Sequence, residues 1–186
     1  MIILITGATH TGKTFIAQKL LEKHKISYLS IDHLKMGLIR SGNTILKPDS
    51  TYENLTQYLW PILKEIIKTN IENQQHLIIE GCYIPYEYKK DFNDIQNHHI
   101  HMISIVFSQS YIEKSYENII DHSNVLEKRL DHHINQKQLI DENMRHLRKS
   151  KLNQINYIYI EERYDIHQII EEISKFIPFQ FSEKGI

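Results

Sequence analysis

A chain of 186 residues with a formal net charge of -1 has the size of one domain and no overall attraction for nucleic acid or an anionic membrane surface. Its single cysteine, Cys82, excludes an internal disulfide and a zinc site built from paired cysteines. No apolar run approaches the roughly 18 residues of a membrane span, and the apolar N-terminus runs directly into a glycine-rich motif instead of a signal-peptide cleavage site. These features predict a single domain over residues 1–186, without a membrane partner, located in the cytoplasm.

The first 24 residues contain the most specific motif of the chain. Residues 2–5 form a short apolar run that predicts a strand buried on both faces, and residues 16–21 place apolar side chains at helical spacing. Between them lies Gly7-Ala8-Thr9-His10-Thr11-Gly12-Lys13-Thr14, which fits the phosphate-binding P-loop or Walker A pattern G-x-x-x-x-G-K-[ST]. Strand, glycine loop and helix follow one another in the order that phosphate binding requires.

Each part of this motif has a physical role in binding a nucleoside triphosphate. Gly7 and Gly12 allow backbone angles and close approaches that a Cβ atom would prevent. Successive backbone N–H groups of the loop and of the first helical turn point at one anion. Lys13 brings a positive charge to the β- and γ-phosphates, and the Thr14 hydroxyl is suited to Mg²⁺. The sequence therefore predicts ATP and Mg²⁺ as cofactors, with Thr14 at the metal. The predicted nucleotide-binding residues are Gly7, Thr9, His10, Thr11, Gly12, Lys13 and Thr14.

Strands and helices alternate along the rest of the chain. Apolar runs predict further strands over 26–31, 77–81, 100–107 and 157–160. The predicted helices are a short one after Asp32, a long one over 51–71 that Pro61 kinks or splits, one after Pro85 that includes Ile95, one from Ser108 to about 120, and a closing helix over 166–177. This alternation is typical of an α/β protein with a parallel sheet, in which ligands lie beyond the carboxyl ends of the strands.

Charged residues near the ends of the second and third predicted strands are candidates for binding a phosphate acceptor. Asp32 either accepts the proton of a substrate hydroxyl, holds Mg²⁺ through water, or caps the next helix. Lys35 and Arg40 on that helix either bind an anionic acceptor or are solvated surface charges. Glu80 either orients metal-bound water or the acceptor, or is merely solvated at a strand exit. Gly81 beside it would let a substrate approach the backbone.

The segment 121–151 is strongly charged and predicts a lid insertion between the fourth and fifth strands. Phosphoryl transfer gains from cations that close over the γ-phosphate and exclude water. Arg129, Arg145 and Arg148 are therefore candidate catalytic residues, and the last two share a helical face by their i,i+3 spacing. The alternative is a pair of surface helices whose arginines form salt bridges with neighbouring acids.

The order of these motifs resembles that of the P-loop small-molecule kinases related to the nucleoside monophosphate kinases. That group includes adenylate, shikimate and gluconate kinases and the zeta-toxin-like and 2-phosphoglycerate-kinase-like proteins. The resemblance spans nearly the whole chain and is specific at GATHTGKT. It implies a P-loop NTPase three-layer sandwich, a five-stranded parallel sheet of order 2-3-1-4-5, and a helical lid that donates arginines, as Arg129, Arg145 and Arg148 would here.

Two short segments qualify this resemblance. The run Ser30-Ile31-Asp32-His33-Leu34-Lys35 is similar to the S-x-D-x-x-[RK] acceptor segment of the zeta-toxin-like and phosphoglycerate-kinase-like members. That likeness implies that Asp32 activates or positions the acceptor hydroxyl and that Lys35 holds the acceptor's charge. After the third strand, Glu80-Gly81-Cys82-Tyr83-Ile84-Pro85 replaces the D-G-F-P-R run of adenylate kinases, which disfavours AMP as the acceptor.

The expected function is an ATP-dependent kinase that transfers the γ-phosphate to a small metabolite or nucleotide. One alternative is a nucleotide-binding switch or an ATPase without such activity. A guanine-specific switch is disfavoured because the chain has no N-K-x-D signature, and a mechanical ATPase because Glu80 is a single acid and not an acidic pair. The other alternative, a polynucleotide end-kinase, would need a basic track and stacking aromatics, so nucleic acid is not the expected partner. The sequence leaves the acceptor and the oligomeric state open.

Overall fold

Five parallel strands form the centre of the computed structural model, which describes residues 1–122 and 134–177. The strands are β1 (Ile2–Gly7), β2 (Tyr28–Ser30), β3 (Leu77–Glu80), β4 (Ile100–Phe107) and β5 (Asn156–Ile160). The helices are α1 (Lys13–His24), α2 (Ile31–Arg40), α3 (Tyr52–Glu72), α4 (Asp94–Asn97), α5 (Gln109–His122), α6 (Gln136–Leu152) and α7 (Ile166–Phe176), with a 3-10 turn at Tyr88–Asp91. The order β2-β3-β1-β4-β5 and the all-parallel pairing confirm the predicted sheet.

Apolar side chains cover both faces of the sheet, because successive residues of a strand point to opposite faces. Ile3 and Ile5 of β1 belong to a core cluster shared with α1, α5 and α7. Ile2 and Leu4 belong to a second cluster, which is built with α3 and with the segment that follows β3. The sheet is therefore the middle layer of three, as the sequence predicted.

Helix α3 runs through Pro61 as one helix of 21 residues, so of the two predicted outcomes, a kink or a split, the split is wrong. Proline costs a helix interior about 3 kcal/mol because it removes a backbone donor and crowds the preceding turn. Pro61 is exposed, whereas Leu55, Leu59, Leu63 and Ile67 are buried along the opposite face. Each such side chain contributes roughly 1.5–3 kcal/mol by its burial, so packing outweighs the proline. No helix in the described part of the chain is both long enough and apolar enough to span a membrane.

The predicted helix after Pro85 is also wrong. The chain there forms the 3-10 turn, becomes extended at Phe92, and begins the separate one-turn helix α4. Asn93 starts α4 with a capping box, in which its side chain and that of Gln96 each accept a backbone N–H from the other residue. Ile95 is 74% exposed and adds nothing to the core. The local cap therefore overrides the apolar spacing.

Residues 123–133 of the segment predicted as a lid, 121–151, lie outside the described residues, and Arg129 is one of them. Most of its remainder is α6, which packs along β4 and α5. Asn143 of α6 is fully buried, and its Oδ1 accepts a hydrogen bond of 2.8 Å from the backbone N–H of Phe107 at the end of β4. This contact places α6 at the carboxyl edge of the sheet. The lid itself stays a prediction.

Candidate active site

The phosphate-binding motif joins the end of β1 to the start of α1. Its two glycines have positive φ angles, 145° at Gly7 and 77° at Gly12. A Cβ atom on Gly7 would lie 2.3 Å from the carbonyl oxygen of Ile105, and one on Gly12 would lie 2.3 Å from the phenol oxygen of Tyr164. The backbone angle therefore favours glycine at both positions, and at Gly7 the neighbouring backbone also leaves no space for a side chain.

The polar groups of this loop converge on a small space at the start of α1. The first intrahelical hydrogen bond of α1 runs from the N–H of Ile16 to the carbonyl of Gly12, so the preceding N–H groups are directed towards the loop. Lys13 is 5% exposed, and its Nζ donates to the Ala8 carbonyl at 2.6 Å. Thr11 Oγ1 donates to the same carbonyl at 2.9 Å. Helical N–H groups and a buried ammonium fit a phosphate anion.

The effect of the loop glycines on stability is testable with one substitution. Gly7→Ala is expected to lower the free energy of unfolding by about 3 kcal/mol or more, because the methyl group meets backbone and the φ angle is strained. Gly37→Ala is the control, since Gly37 lies inside α2 and a Cβ there meets nothing within 4 Å. It is expected to raise the same quantity by about 0.5–1 kcal/mol. Urea unfolding measures both free energies. Equal effects of the two changes would contradict the conclusion that the loop requires glycine at position 7.

A hydroxyl and a carboxylate meet beside the loop. Thr14 Oγ1 donates to Glu80 Oε1 at 3.2 Å, and Glu80 is 2% exposed at the end of β3. Glu80 lies opposite Ile5 in the parallel register, which places it next to the phosphate loop. Gly81 follows with a φ of 154°, and a Cβ there would lie 2.8 Å from the Cβ of Ile31. Oxygen atoms of this kind are the ligands that Mg²⁺ prefers, so Thr14 and Glu80 fit the predicted metal.

Asp32 and Lys35 form an ion pair on the neighbouring helix. Because β2 ends at Ser30, Asp32 lies in the first turn of α2 and not at the end of a strand as predicted. Lys35 Nζ is 2.6 Å from Asp32 Oδ1 and donates to the Tyr83 hydroxyl at 3.3 Å. Burial acts to lower the pKa of Lys35, but the charge and hydrogen bond of Asp32 outweigh it, and that pKa is raised. Lys35 therefore stays charged, and Asp32 offsets its charge.

Three tyrosines continue the site from Lys35 towards α6. The rings of Tyr83 and Tyr52 are 5.6 Å apart, and the Tyr52 hydroxyl donates to the carbonyl of Cys82 at 2.9 Å. Lys149 of α6 places its Nζ 5.8 Å from the centre of the Tyr52 ring and 5.9 Å from that of Tyr86. Burial raises the pKa of all three phenols, so these side chains are neutral at physiological pH.

A buried histidine connects α6 to one of these three tyrosines. Nδ1 of His146 is 2.7 Å from the Tyr86 hydroxyl, which is itself 2.9 Å from the hydroxyl of Ser104 on β4. Burial is the main cause that lowers the pKa of His146 to about 3, and nearby positive charges lower it further. The imidazole is therefore neutral. The charges that act on it are those of Lys13, Lys149 and Arg145.

This lowered pKa predicts a measurable dependence of stability on pH. The folded state binds the proton only near pH 3, whereas the unfolded state binds it near the ordinary value of 6.5. The stabilisation is therefore complete above pH 6.5 and is lost as the pH falls towards 3, at up to about 1.4 kcal/mol per pH unit.

The test compares wild type with His146→Gln by urea unfolding between pH 4 and pH 7. The dependence on pH is expected to be steeper in wild type, and His33→Gln, at an exposed position, controls for loss of any histidine. Identical slopes in wild type and His146→Gln would show that the imidazole is not held neutral.

The structure brings together most of the predicted site residues and adds five others. Lys13, Thr14, Asp32, Lys35 and Glu80 lie at the carboxyl edge of the sheet. Arg145 on α6 acts electrostatically on His146 and Tyr52. No contact within residues 1–122 and 134–177 brings Arg40 or Arg148 to this group. The residues that sequence reasoning missed are Tyr52, Tyr83, Tyr86, His146 and Lys149. A signal for Lys149 was present, since it shares a face with Arg145 by i,i+4 spacing.

Comparisons with known proteins agree with this geometry at the level of the fold. No protein-family model matches the chain, and no curated protein sequence matches it. A sugar kinase from a Janibacter species superposes with a TM-score of 0.60 at 14% identity, covering 96% of this chain and 95% of that one. The fold is that of the P-loop small-molecule kinases.

Two further kinases of this fold match over most of their length. A gluconokinase from Sinorhizobium meliloti 1021 has a TM-score of 0.55 at 13% identity and covers 91% of this chain and 87% of that one. A deoxyadenosine kinase from M. mycoides has a TM-score of 0.56 at 14% identity and covers 94% of this chain and 97% of that one. At such identities the likeness to P-loop small-molecule kinases shows the fold, and the activity has to be argued from the site residues.

Proposed function

We propose that this protein is an ATP- and Mg²⁺-dependent kinase that transfers the γ-phosphoryl group to a hydroxyl group of a small metabolite or nucleotide. The observation that supports the proposal is that the phosphate loop and the Asp32–Lys35 pair lie at the same edge of the sheet. The phosphate loop reaches Glu80 through Thr14 at 3.2 Å, and the Asp32–Lys35 pair lies on the helix that starts beside β3. A phosphate donor and a hydroxyl acceptor can therefore bind side by side.

The loop supplies the donor half of the reaction. Its N–H groups and Lys13 would bind the phosphates, with the Lys13 ammonium leaving the Ala8 carbonyl that it now contacts at 2.6 Å. Thr14 and Glu80 are the residues that would hold Mg²⁺, which when bound offsets charge on the phosphate oxygens. Their existing hydrogen bond keeps the two oxygen atoms close to the loop.

Asp32 supplies the acceptor half. The acceptor hydroxyl forms its bond to the γ-phosphorus while the bond from that phosphorus to the β–γ bridging oxygen breaks, and ADP leaves with the electron pair. Asp32 accepts the hydroxyl proton, a role for which a carboxylate is suited. Lys35 orients Asp32 through their contact of 2.6 Å.

The arginines have separate places in this proposal. Arg145 and Lys13 both act electrostatically on His146, so Arg145 is the strongest candidate among the arginines to stabilise the transferring phosphoryl group. Arg148 follows it on α6, and Arg40 ends α2, about 12 Å along the helix axis from Asp32. Arg129 lies outside the described residues.

Transfer from labelled ATP tests this function. The protein is incubated with γ-labelled ATP, Mg²⁺ and separate pools of sugars, hydroxy acids, nucleosides, nucleotides and a short oligonucleotide, and both labelled products and free phosphate are counted. Label in a small-molecule pool is the expected result. Label that appears only as inorganic phosphate, at a rate no pool changes, would instead indicate an ATPase and contradict the proposal. Label in the oligonucleotide would indicate a polynucleotide end-kinase.

A further inference from the structure

The acceptor side of the site carries positive charge that its own acids do not offset. Lys35 is paired with Asp32 at 2.6 Å, and Glu80 is bonded to Thr14. Arg145 and Lys149 form no salt bridge with another residue in 1–122 or 134–177, and both occupy exposed positions of α6. Two cations are therefore available to a ligand at the rim of the site.

Lys149 belongs to the acceptor side because of the side chains that surround its ammonium. Its Nζ lies over the rings of Tyr52 and Tyr86, from the start of α3 and from the segment after β3. The Tyr52 ring neighbours that of Tyr83, over which Lys35 Nζ lies at 5.1 Å. One continuous row of side chains thus starts next to Asp32 and runs through Lys35, Tyr83, Tyr52 and Lys149. The aromatic faces exclude part of the water around both ammonium groups, which strengthens their attraction for an anion.

Helix α6 holds Lys149 in this position through its buried face. His146 is tied to Tyr86 at 2.7 Å, and the Tyr86 hydroxyl is tied to Ser104 on β4. Asn143, which lies one helical turn before His146, accepts a hydrogen bond from the backbone of β4. The helix that carries Lys149 is therefore fixed to the sheet at two points, and a site supported in this way is organised before its ligand arrives.

We infer that the phosphate acceptor carries a carboxylate or phosphate group in addition to its reacting hydroxyl, and that Lys149, with Arg145 beside it, binds that group. This inference rests on the proposed kinase function. It moves the recognition of the acceptor's charge from Lys35, where the sequence placed it, to α6. Asp32 already offsets Lys35, whereas a cation without a paired acid at the rim is complementary to an anion and disfavours a neutral competitor.

Matched acceptors test the chemical class. A sugar is compared with its sugar acid and its sugar phosphate, and a nucleoside with its 5′-monophosphate, each offered singly with labelled ATP and Mg²⁺. An anionic member is expected to show kcat/KM roughly tenfold or more above its neutral counterpart, since a charged hydrogen bond is gained. The carboxylate and phosphate arms show which anion is used. A neutral acceptor that is phosphorylated as well as its anionic counterpart would overturn the inference and leave the kinase function standing.

Variants of α6 test the residue. Lys149→Gln is expected to raise the KM for the anionic acceptor roughly tenfold or more while the KM for ATP stays unchanged, and Lys149→Arg is expected to restore most of the loss. Lys151→Gln, at another exposed position of α6, is the control. Equal acceptor KM values in Lys149→Gln and Lys151→Gln would overturn the assignment. If no acceptor takes label at all, the kinase function fails first, and the inference fails with it.

Discussion

Lys13→Met is expected to reduce phosphate transfer by roughly 10³-fold. The variant keeps an unbranched apolar side chain at a position that is 5% exposed and removes the ammonium group. In the free protein the Lys13 ammonium donates a hydrogen bond of 2.6 Å to the Ala8 carbonyl, inside the loop where the β- and γ-phosphates would lie. Developing charge on the transferring group would therefore lose its nearest cation. Steady-state transfer from labelled ATP measures the loss.

The control for this change is another lysine of the same helix. Lys23 is exposed near the end of α1, so Lys23→Met is expected to leave the transfer rate within about twofold of wild type. Thermal unfolding of both variants separates loss of chemistry from loss of fold. Transfer by a folded Lys13→Met protein at the wild-type rate would show that the loop does not bind the reacting phosphates.

Asp32→Asn is expected to lower kcat by about 10²–10⁴-fold while ATP binding is retained. The amide keeps the size of the side chain but cannot accept the proton of the acceptor hydroxyl. It also leaves Lys35, whose Nζ lies 2.6 Å from Asp32 Oδ1, without its paired charge. Single-turnover transfer at saturating acceptor, together with calorimetric titration of ATP, measures the two effects separately.

Asp49→Asn is the matched control, because Asp49 is exposed in the loop before α3 and lies outside the site. It is expected to match wild type in both measurements. Two results would argue against the role given to Asp32. One is an unchanged kcat in Asp32→Asn, and the other is a parallel loss of ATP binding, which would place this carboxylate at the nucleotide instead of the acceptor.

The parts of the fold that could be predicted are those in which local sequence determines local structure. The motif from Gly7 to Thr14 has the glycines, the lysine and the hydroxyl that its geometry needs, and both loop glycines have the positive φ angles that the pattern suggests. The apolar runs also gave all five strands of the described sheet, because a strand covered on both faces reads as a continuous apolar segment.

The parts that could not be predicted depend on contacts between distant residues. Packing of α3 against the sheet outweighs Pro61, and a capping box at Asn93 interrupts what looked like one helix. His146 meets Tyr86 across 60 residues of chain, and spacing along α6 alone does not show which of its faces meets the site. From sequence alone, the face that Arg145 shares with Arg148 and the face that it shares with Lys149 were therefore equally good candidates for the side of α6 that meets the site.

Calorimetric titration of the full chain with ATP, with and without Mg²⁺, tests whether the glycine-rich loop is a nucleotide site. We expect one site per chain, tighter binding when Mg²⁺ is present, and loss of binding in Lys13→Met. Thr14→Val should remove the effect of Mg²⁺, since it deletes the hydroxyl that now bonds to Glu80 at 3.2 Å. A wild-type protein that folds but shows no binding of ATP under either condition would contradict the nucleotide site and every proposal built on it.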